Sequence, residues 1–553
     1  MSALKVLIIG GVAGGMSAAT RLRRLREDAE IIVFEMGEHV SYANCGLPYF
    51  VSNVISDRDS LLLQTPESLH RRFRLDVRVR SRVVEILPAT KQVRVDNLAT
   101  GESYLESYDK LVISTGAKPA VANIPGSERA IKLRDVTDAD KAKELAGQLK
   151  SDPSAQAVIL GAGFIGIELA ENLRHLGLRV AVVQRGPSIL SQFDPEMIEP
   201  LQAHLVGHGI ELLLDATAVE ITADKVVLAD GRELRADLVA SAIGVKPDNA
   251  LAREAGLRIG ESGGLWVDDQ QRTSNPDIFA AGDAVEKLGM LTGTESLIPL
   301  ANLANRHGRL VADVIAGIET KVHPALGTVI IGAFGLAAGI TGLSERAAKR
   351  AGIAAQAIHL HPGSHAGYYP GAQRVSLKVL FDPKTGKLLG AQATGFDGVD
   401  KRIDVIATAI FGGLTIDDLM DLELAYSPQY GSAKDPINMA GYVGNNVLSG
   451  RTPTVQWHGL LEAQAGGATL IDVRTQGEHN AGAIPGSLLI PVDELRDRMS
   501  ELPDGPLVVH CAVGQRGHIA TQILRAAGRE VRNLDGGYTT WKAGVDSVAR
   551  ATR

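Results

Sequence analysis

Two strand–glycine–helix units about 150 residues apart set the strongest limit on how this 553-residue chain can fold. The first runs Lys5-Val-Leu-Ile-Ile9, then Gly10-Gly-Val-Ala-Gly-Gly15, then a helical stretch from Met16 to about Arg26. A second strand, Glu30–Phe34, ends at Glu35. Glycines in such a βαβ unit let the backbone approach a pyrophosphate, and the N-terminus of the following helix faces its charge. Glu35, 25 residues after Gly10, stands where a carboxylate hydrogen-bonds an adenosine ribose. Val12 departs from the pattern at a position usually held by glycine. The second unit is cleaner: Ala157-Val-Ile-Leu160, Gly161-Ala-Gly-Phe-Ile-Gly166, a helix to about Leu176 and a strand Arg179–Val183. Gln184 fills its acidic position and Arg185 follows. A carboxylate there favours an unphosphorylated ribose and an arginine accommodates a 2′-phosphate, so NADH and NADPH both stay open.

The totals are those of an ordinary globular protein, with 45% hydrophobic and 22% charged residues and a formal charge of −7. Length gives three or four domains at ~150 residues each. The acidic balance argues against a nucleic-acid partner. Val6–Ile9 is too short for a signal-peptide core. Pro324–Ser344 carries no charge, but five glycines (327, 332, 335, 339, 342) interrupt it, so two buried strands are expected there and no membrane partner. Two cysteines in unlike contexts do not make a disulfide scaffold, and a reducing cytoplasm is the expected location.

Each cysteine sits in a reactive setting: Cys45 in Ser41-Tyr-Ala-Asn-Cys-Gly-Leu-Pro48, and Cys511 at the head of Cys511-Ala-Val-Gly-Gln-Arg-Gly517, directly after the apolar run Leu507-Val-Val-His510. A free cysteine is often just a small buried hydrophobe. Neighbours rich in Gly, Asn, Pro and Arg favour two one-cysteine stations instead. A loop between a strand and a helix aims backbone N–H groups at the Cys511 sulfur, and with Arg516 nearby this cradle favours a thiolate and then a persulfide. Asp472 and Arg474 read as a structural ion pair, and His510 and His518 as polar neighbours of the loop.

Ser114-Thr-Gly-Ala-Lys-Pro119, Ala242-Ile-Gly-Val-Lys-Pro-Asp248 and Thr273-Ser-Asn-Pro-Asp-Ile-Phe-Ala-Ala-Gly-Asp283 resemble the crossover and flavin-closing motifs of the two-dinucleotide-binding flavoprotein disulfide reductases. The resemblance runs from residue 1 to about 447. Val455–Arg553 resembles a single-domain rhodanese, including the Asp535-Gly-Gly537 turn and Trp541. The implied fold class is α/β. A Rossmann-like FAD domain (1–117 and 248–325) would carry an inserted Rossmann-like NAD(P) domain (118–247). An α+β dimerisation domain (326–447), a linker (448–455) and an α/β rhodanese domain (456–553) would follow. FAD would be held by Gly10, Gly11, Ala13, Gly14, Gly15, Glu35, Thr115, Gly116, Gly282 and Asp283. NADH or NADPH would be held by Gly161, Gly163, Ile165, Gly166, Gln184, Arg185 and Gly244. The partner implied for the chain is a second copy, in a homodimer.

Disulfide reductases of this family carry Cys-x₄-Cys at the flavin; here the residue five after Cys45 is Phe50. If Cys45 takes electrons from the flavin, its oxidised form has to be a mixed disulfide with a small molecule, a persulfide or a sulfenic acid. The segment Ser41-x₂-Asn44-Cys45-Gly-Leu-Pro-Tyr49 is similar to the coenzyme A-disulfide reductases, and the rhodanese points to their fused branch, which reduces coenzyme A persulfides and polysulfides. That resemblance makes Cys45 the nucleophile, oriented by Ser41 and Asn44. It gives two tyrosines of the partner subunit, matched best by Tyr368 (with Tyr369 adjacent) and Tyr426, the task of assisting the leaving thiolate. It places coenzyme A against Arg24, Arg71, Arg72, Asn305 and Arg306, with Asn302 a weaker candidate. Without it, the run Arg21-Leu-Arg-Arg-Leu-Arg26 reads as a solvated helix face. The leading expectation is an NAD(P)H-dependent coenzyme A persulfide/disulfide reductase whose Cys511 handles sulfane sulfur. Two alternatives are an NADH oxidase or peroxidase cycling Cys45 through sulfenic acid, and a sulfur transferase or carrier with a redox-sensing flavin domain.

Overall fold

The computed structural model describes residues 4–551, which form two compact units: one of residues up to Val182 with Ala218–Gly327, the other of Val183–Thr217 with Thr328 onward.

In the first unit, strand Lys5–Ile9 lies inside a five-stranded parallel sheet, between Glu30–Phe34 on one side and Lys110–Ile113 on the other. Asp76–Arg78 and Ile278–Ala280 close the two edges. Both faces are covered, so Val6, Leu7 and Ile8 are wholly buried, and the strand reads as an uninterrupted apolar run. The chain reverses its direction of travel across the sheet beside Lys5–Ile9, and such a switch point opens a crevice at the carboxyl ends of the strands. Helix Ala13–Leu25 starts there, three residues earlier than the apolar pattern alone indicates. Gly10 has φ +101°, and a Cβ on it would lie 2.2 Å from the carbonyl oxygen of Ser114. Val12 has φ −112°, so it does not need the left-handed backbone that Gly10 adopts. Helix Ala301–Ile315 crosses Ala13–Leu25 so closely that a Cβ on Gly308 would meet Gly14 O at 2.1 Å.

Strand Gln156–Leu160 repeats the arrangement, paired in parallel with Leu238–Ser241 and leading to helix Phe164–His175. The two halves of the crossover, Ala117–Pro119 and Val245–Pro247, pair antiparallel.

The second unit holds a five-stranded antiparallel sheet in the order Val329–Ala333, Leu336–Gly342, Leu388–Gly395, Val375–Phe381, Gln356–Leu360. The uncharged stretch around Pro324–Ser344 supplies its first two strands, as expected. Among the described residues no helix is long and apolar enough to cross a membrane. A five-stranded parallel sheet follows, with Leu507–His510 between Val531–Leu534 and Thr469–Asp472. Helix Gly537–Ala551 packs back on helix Pro195–Gly207 of the same unit, where Arg550 pairs with the buried Glu199 at 2.5 Å.

Candidate active site

A cavity of about 820 Å³ fills the crevice over the first glycine loop. Gly10, Gly11, Ala13, Gly14, Glu35, Thr115, Gly116, Gly282 and Asp283 line it; Gly15 lies just beneath, where a Cβ would meet Gly10 O at 1.9 Å. The Glu35 carboxylate accepts from the backbone N–H groups of Gly11 (2.9 Å) and Gly37 (2.8 Å), which fixes it at the end of its strand. Asp283 Oδ1 is buried and has no hydrogen-bond partner among the described residues. Burial raises the Asp283 pKa, against the pull of Lys287 and Arg134. Lys287, missed in the sequence, is buried with Nζ donating to Gly282 O (2.8 Å) and Val285 O (2.9 Å), and burial lowers it to about 8. An unpartnered buried carboxylate oxygen beside a glycine-walled cavity with a carboxylate at its far strand end fits a flavin dinucleotide.

The second glycine unit is open. Gly161 (φ +100°) closes on Ala242 O, and a Cβ on Gly166 would meet Gly161 O at 2.1 Å, so the turn is as tight as the first. Gly163 and Gly244 face free space, and Ile165 is 40% exposed at the mouth of helix Phe164–His175. A helix N-terminus with bare glycines and an exposed apolar shelf fits a nicotinamide dinucleotide. In the other unit Gln184 donates to Ser188 O (3.3 Å) and Arg185 is exposed.

Cys45 is a free, exposed thiol in the 3₁₀ turn Asn44–Gly46, ahead of helix Leu47–Val51. Asn44 Oδ1 accepts from Cys45 N (3.1 Å) and lies 3.7 Å from its Sγ. Ser41 holds a left-handed conformation (φ +49°), its N–H donating to Gly11 O at 2.8 Å, which ties the thiol segment to the glycine loop. Partial burial, then Glu168 and Asp283, push the Cys45 thiol up from its ordinary value. Glu168 accepts from Tyr49 Oη (3.1 Å). It lies 119 residues from Tyr49, and no local pattern announced it. Phe50 is buried under Lys143, whose Nζ lies 3.6 Å from the ring centroid. A packed aromatic ring therefore occupies the position at which Cys-x₄-Cys has its second thiol.

The arginine run divides. Arg21 pairs with Asp313 (2.7 Å) and Arg26 with Asp28 (3.0 Å). Arg23 is buried, donating to Phe73 O (2.7 Å), Glu27 O (2.7 Å) and Arg74 O (3.1 Å). It stitches its helix to the end of helix Pro66–Phe73, which carries Arg71 and Arg72. Arg24, Arg71, Arg72, Asn302, Asn305 and Arg306 are exposed. Asn305 Oδ1 accepts from Ser17 Oγ at 2.8 Å, across the crossing of its helix with Ala13–Leu25.

In the second unit, Tyr368 and Tyr426 meet hydroxyl to hydroxyl at 3.0 Å on an exposed surface, whereas Tyr369 packs edge-on against His365. Cys511 is buried, with Gly514 N–H donating to its Sγ at 3.2 Å, at the start of helix Gln515–Ala526. Arg516 is beside the thiol, but its guanidinium also grips Glu478 in two bonds of 2.6 and 2.8 Å. Asp472 and Arg474 form the buried ion pair read from the sequence (2.7 Å). His518 shares a hydrogen bond with Thr452 Oγ1 (2.7 Å), and His510 is buried behind Cys511 with neither ring nitrogen bonded among the described residues.

Two dinucleotide clefts and a lone exposed thiol tied to the first of them define a flavin- and nicotinamide-dependent oxidoreductase acting on sulfur. Residues 4–308 match the family model for pyridine nucleotide-disulphide oxidoreductases, 331–435 that family's dimerisation domain, and 457–544 the rhodanese-like domain. The chain is 33% identical, over 79% of its length and 99% of the relative's, to a coenzyme A disulfide reductase of Staphylococcus aureus (strain bovine RF122 / ET3-1). Among solved structures, a reduced CoADR-RHD of Bacillus anthracis matches with TM-score 0.96 and 43% identity, covering 99% of both chains. An NAD-dependent persulfide reductase from A. fulgidus matches with TM-score 0.91 and 34% identity, covering 97% of this chain and all of the other. The chain belongs to the pyridine nucleotide-disulphide oxidoreductase family, with a rhodanese-like domain at its C-terminal end. It is an FAD-dependent oxidoreductase that uses NAD(P)H.

Proposed function

We propose that this enzyme reduces coenzyme A persulfides and coenzyme A disulfide through Cys45 as its sole flavin-side redox thiol, as a homodimer in a reducing cytoplasm. The observation that carries the reading is the free, exposed Cys45 with Phe50 packed where a resolving cysteine would stand. FAD, when bound, would supply hydride acceptance from NAD(P)H and an electron pair for the sulfur of Cys45. Gly10, Gly11, Gly14, Gly116, Glu35, Thr115, Gly282 and Asp283 would hold it; Gly161, Gly163, Ile165, Gly166 and Gly244, with Gln184 and Arg185, would receive the nicotinamide dinucleotide.

The Cys45 thiolate attacks the coenzyme A sulfur of CoA-S-SH, forming Cys45-S-S-CoA and expelling HS⁻. Two electrons and a proton then cleave that bridge, regenerating the Cys45 thiolate and releasing CoA-SH. Asn44 steadies the sulfur through its amide oxygen and, with Ser41, keeps the turn in register. Tyr368 and Tyr426 are assigned to the Cys45 site of the other subunit of the homodimer; Tyr368, its pKa raised by the hydrogen bond with Tyr426, stays protonated at neutral pH and is given the proton for the departing thiolate. Arg24, Arg71, Arg72 and Arg306 are assigned the coenzyme A phosphates, since exposed guanidinium groups match phosphate oxygens, and Asn305 is assigned beside them as an amide N–H donor. Cys511 accepts sulfane sulfur as Cys511-S-SH: its thiolate attacks the outer sulfur of a persulfide R-S-SH and releases RS⁻.

Anaerobic NAD(P)H oxidation with CoA persulfide tests the reading. Cys45→Ser should abolish turnover, and Cys511→Ser should spare it while impairing transfer from other sulfane donors. Equal loss in both variants, or rapid turnover with peroxide alone, contradicts the assignment.

A further inference from the structure

The second unit joins its antiparallel sheet to its C-terminal parallel sheet through buried charge. His359, on strand Gln356–Leu360, is 3% exposed. Its ring bonds Asp535 Oδ2 at 2.6 Å through Nδ1 and Glu196 Oε1 at 3.1 Å through Nε2, and its backbone N–H donates to Asp535 Oδ1 at 3.2 Å. Several elements packed around it contribute charge, whereas helix Pro436–Leu448, which also packs on this strand, carries none. Helix Pro195–Gly207 brings Glu196, with Asp194 at its N-cap; strand Val375–Phe381 brings the wholly buried Lys378; helix Glu345–Arg350 brings Glu345. His361, on its own side, bonds Thr540 Oγ1 at 2.8 Å. Burial alone would lower the His359 pKa, but Asp535 and Glu196 outweigh it and raise it to about 9. His361 is pushed down to about 3 by burial, then His359 and Arg374.

Asp535 opens a turn of two left-handed glycines that separates this latch from the sulfur loop. A Cβ on Gly536 (φ +65°) would lie 2.7 Å from His359 Cβ; one on Gly537 (φ +63°) would lie 2.5 Å from Cys511 O. The next two residues hold the loop by backbone bonds, Tyr538 N–H to Cys511 O (2.8 Å) and Thr539 N–H to Ala512 O (3.0 Å). The loop's face toward the latch is not fully packed. A cavity of about 330 Å³ lies between His359, His361 and Gly536 on one wall and Val513, Gly514 and Gln515 on another. A loop that backs onto a void is held by its bonded turn rather than by neighbouring side chains.

We propose that His359 is a positioning residue for Cys511: through Asp535 and the Gly536-Gly537 turn it sets the loop geometry that aims Gly514 N–H at the sulfur. The reactivity of the rhodanese-like domain is then set by the sheet on which it docks, whatever sulfur donor it uses. Since the folded pKa of His359 lies above its ordinary value, its contribution is full below pH ~6.5 and fades as pH rises through about 9.

The test is the pH profile of iodoacetamide alkylation of Cys511 in the full-length FAD-bound enzyme carrying Cys45→Ser, so that a single thiol reacts. This readout needs no sulfur substrate, so it is independent of the proposed turnover. His359→Asn removes the charge and Gly536→Ala wedges the turn. A folded variant of either kind should move the midpoint upward by at least about half a pH unit, because a thiolate loses the amide donors that lower its pKa. Midpoints unchanged in the folded variants overturn the proposal. Should neither variant fold, hydrogen exchange of amides 511–517 in the Cys45→Ser parent at pH ~7 and ~10 decides, after correction for intrinsic rates. Protection lost at the higher pH supports the latch, and equal protection overturns it.

Discussion

Arg516 lies beside the Cys511 sulfur, yet two of its N–H groups are committed to Glu478, which leaves the charge balanced. Arg516 holds Glu478 down to about 2, so the pair is intact throughout the working pH range. Glu478→Gln removes the negative partner but keeps the fold of the segment, because glutamine satisfies the same N-terminal capping box with Thr475. Two unit charges ~4 Å apart interact by about 4 kcal/mol at an effective dielectric of ~20. The side chains are 32% and 35% exposed, so solvent screening cuts this to about 1 kcal/mol, roughly fivefold in rate. The expected result is about a fivefold gain in thiosulfate-to-cyanide sulfur transfer in the Cys45→Ser background, since the dianion gains most from an unbalanced guanidinium. A smaller gain is expected with a monoanionic organic persulfide. Unchanged or reduced thiosulfate use in a folded Glu478→Gln protein refutes the charge argument.

Three further outcomes follow from the same structure. Gly308→Ala forces a Cβ against Gly14 O and should cost about 1–3 kcal/mol of overpacking at the flavin loop, read as flavin lost on gel filtration; full retention contradicts the close crossing. Lys378→Met strands Asp194, Glu196 and Glu345, and should cost at least about 3–5 kcal/mol in urea unfolding of the second unit; a change below ~1 kcal/mol shows the carboxylates are not held as charges. Burial alone would raise Asp472, but bonds from Arg474, the nearby His510 and a bond from His479 hold it at about 2. Its folded pKa is depressed, so its stabilisation is present above pH ~4 and fades as pH falls toward ~2. Acid unfolding followed at Trp457 and Trp541 should therefore lose this contribution in Asp472→Asn.

Much of the cofactor frame was legible because its requirements are local. Gly10, Gly161 and Gly166 leave a trace in sequence since a Cβ at each would collide with the backbone. The missing second thiol was legible by counting, and Phe50 turned out to be packed in its place. What escaped the sequence is pairing over distance. Glu168 meets Tyr49 across 119 residues, Arg516 meets Glu478 across 38, and His359 meets Asp535 across 176. No periodicity links such partners, so Arg23 read as one more surface charge although it is buried among carbonyls. The partner of Arg516 went unread for the same reason.

The most direct measurement is intact-protein mass spectrometry of the reduced enzyme after one equivalent of coenzyme A disulfide, before and after NAD(P)H. One coenzyme A adduct per chain is expected, mapped to Cys45, and it disappears when NAD(P)H is added. A Cys45–Cys511 disulfide, an oxygen adduct in place of coenzyme A, or an adduct that NAD(P)H leaves intact would contradict that expectation.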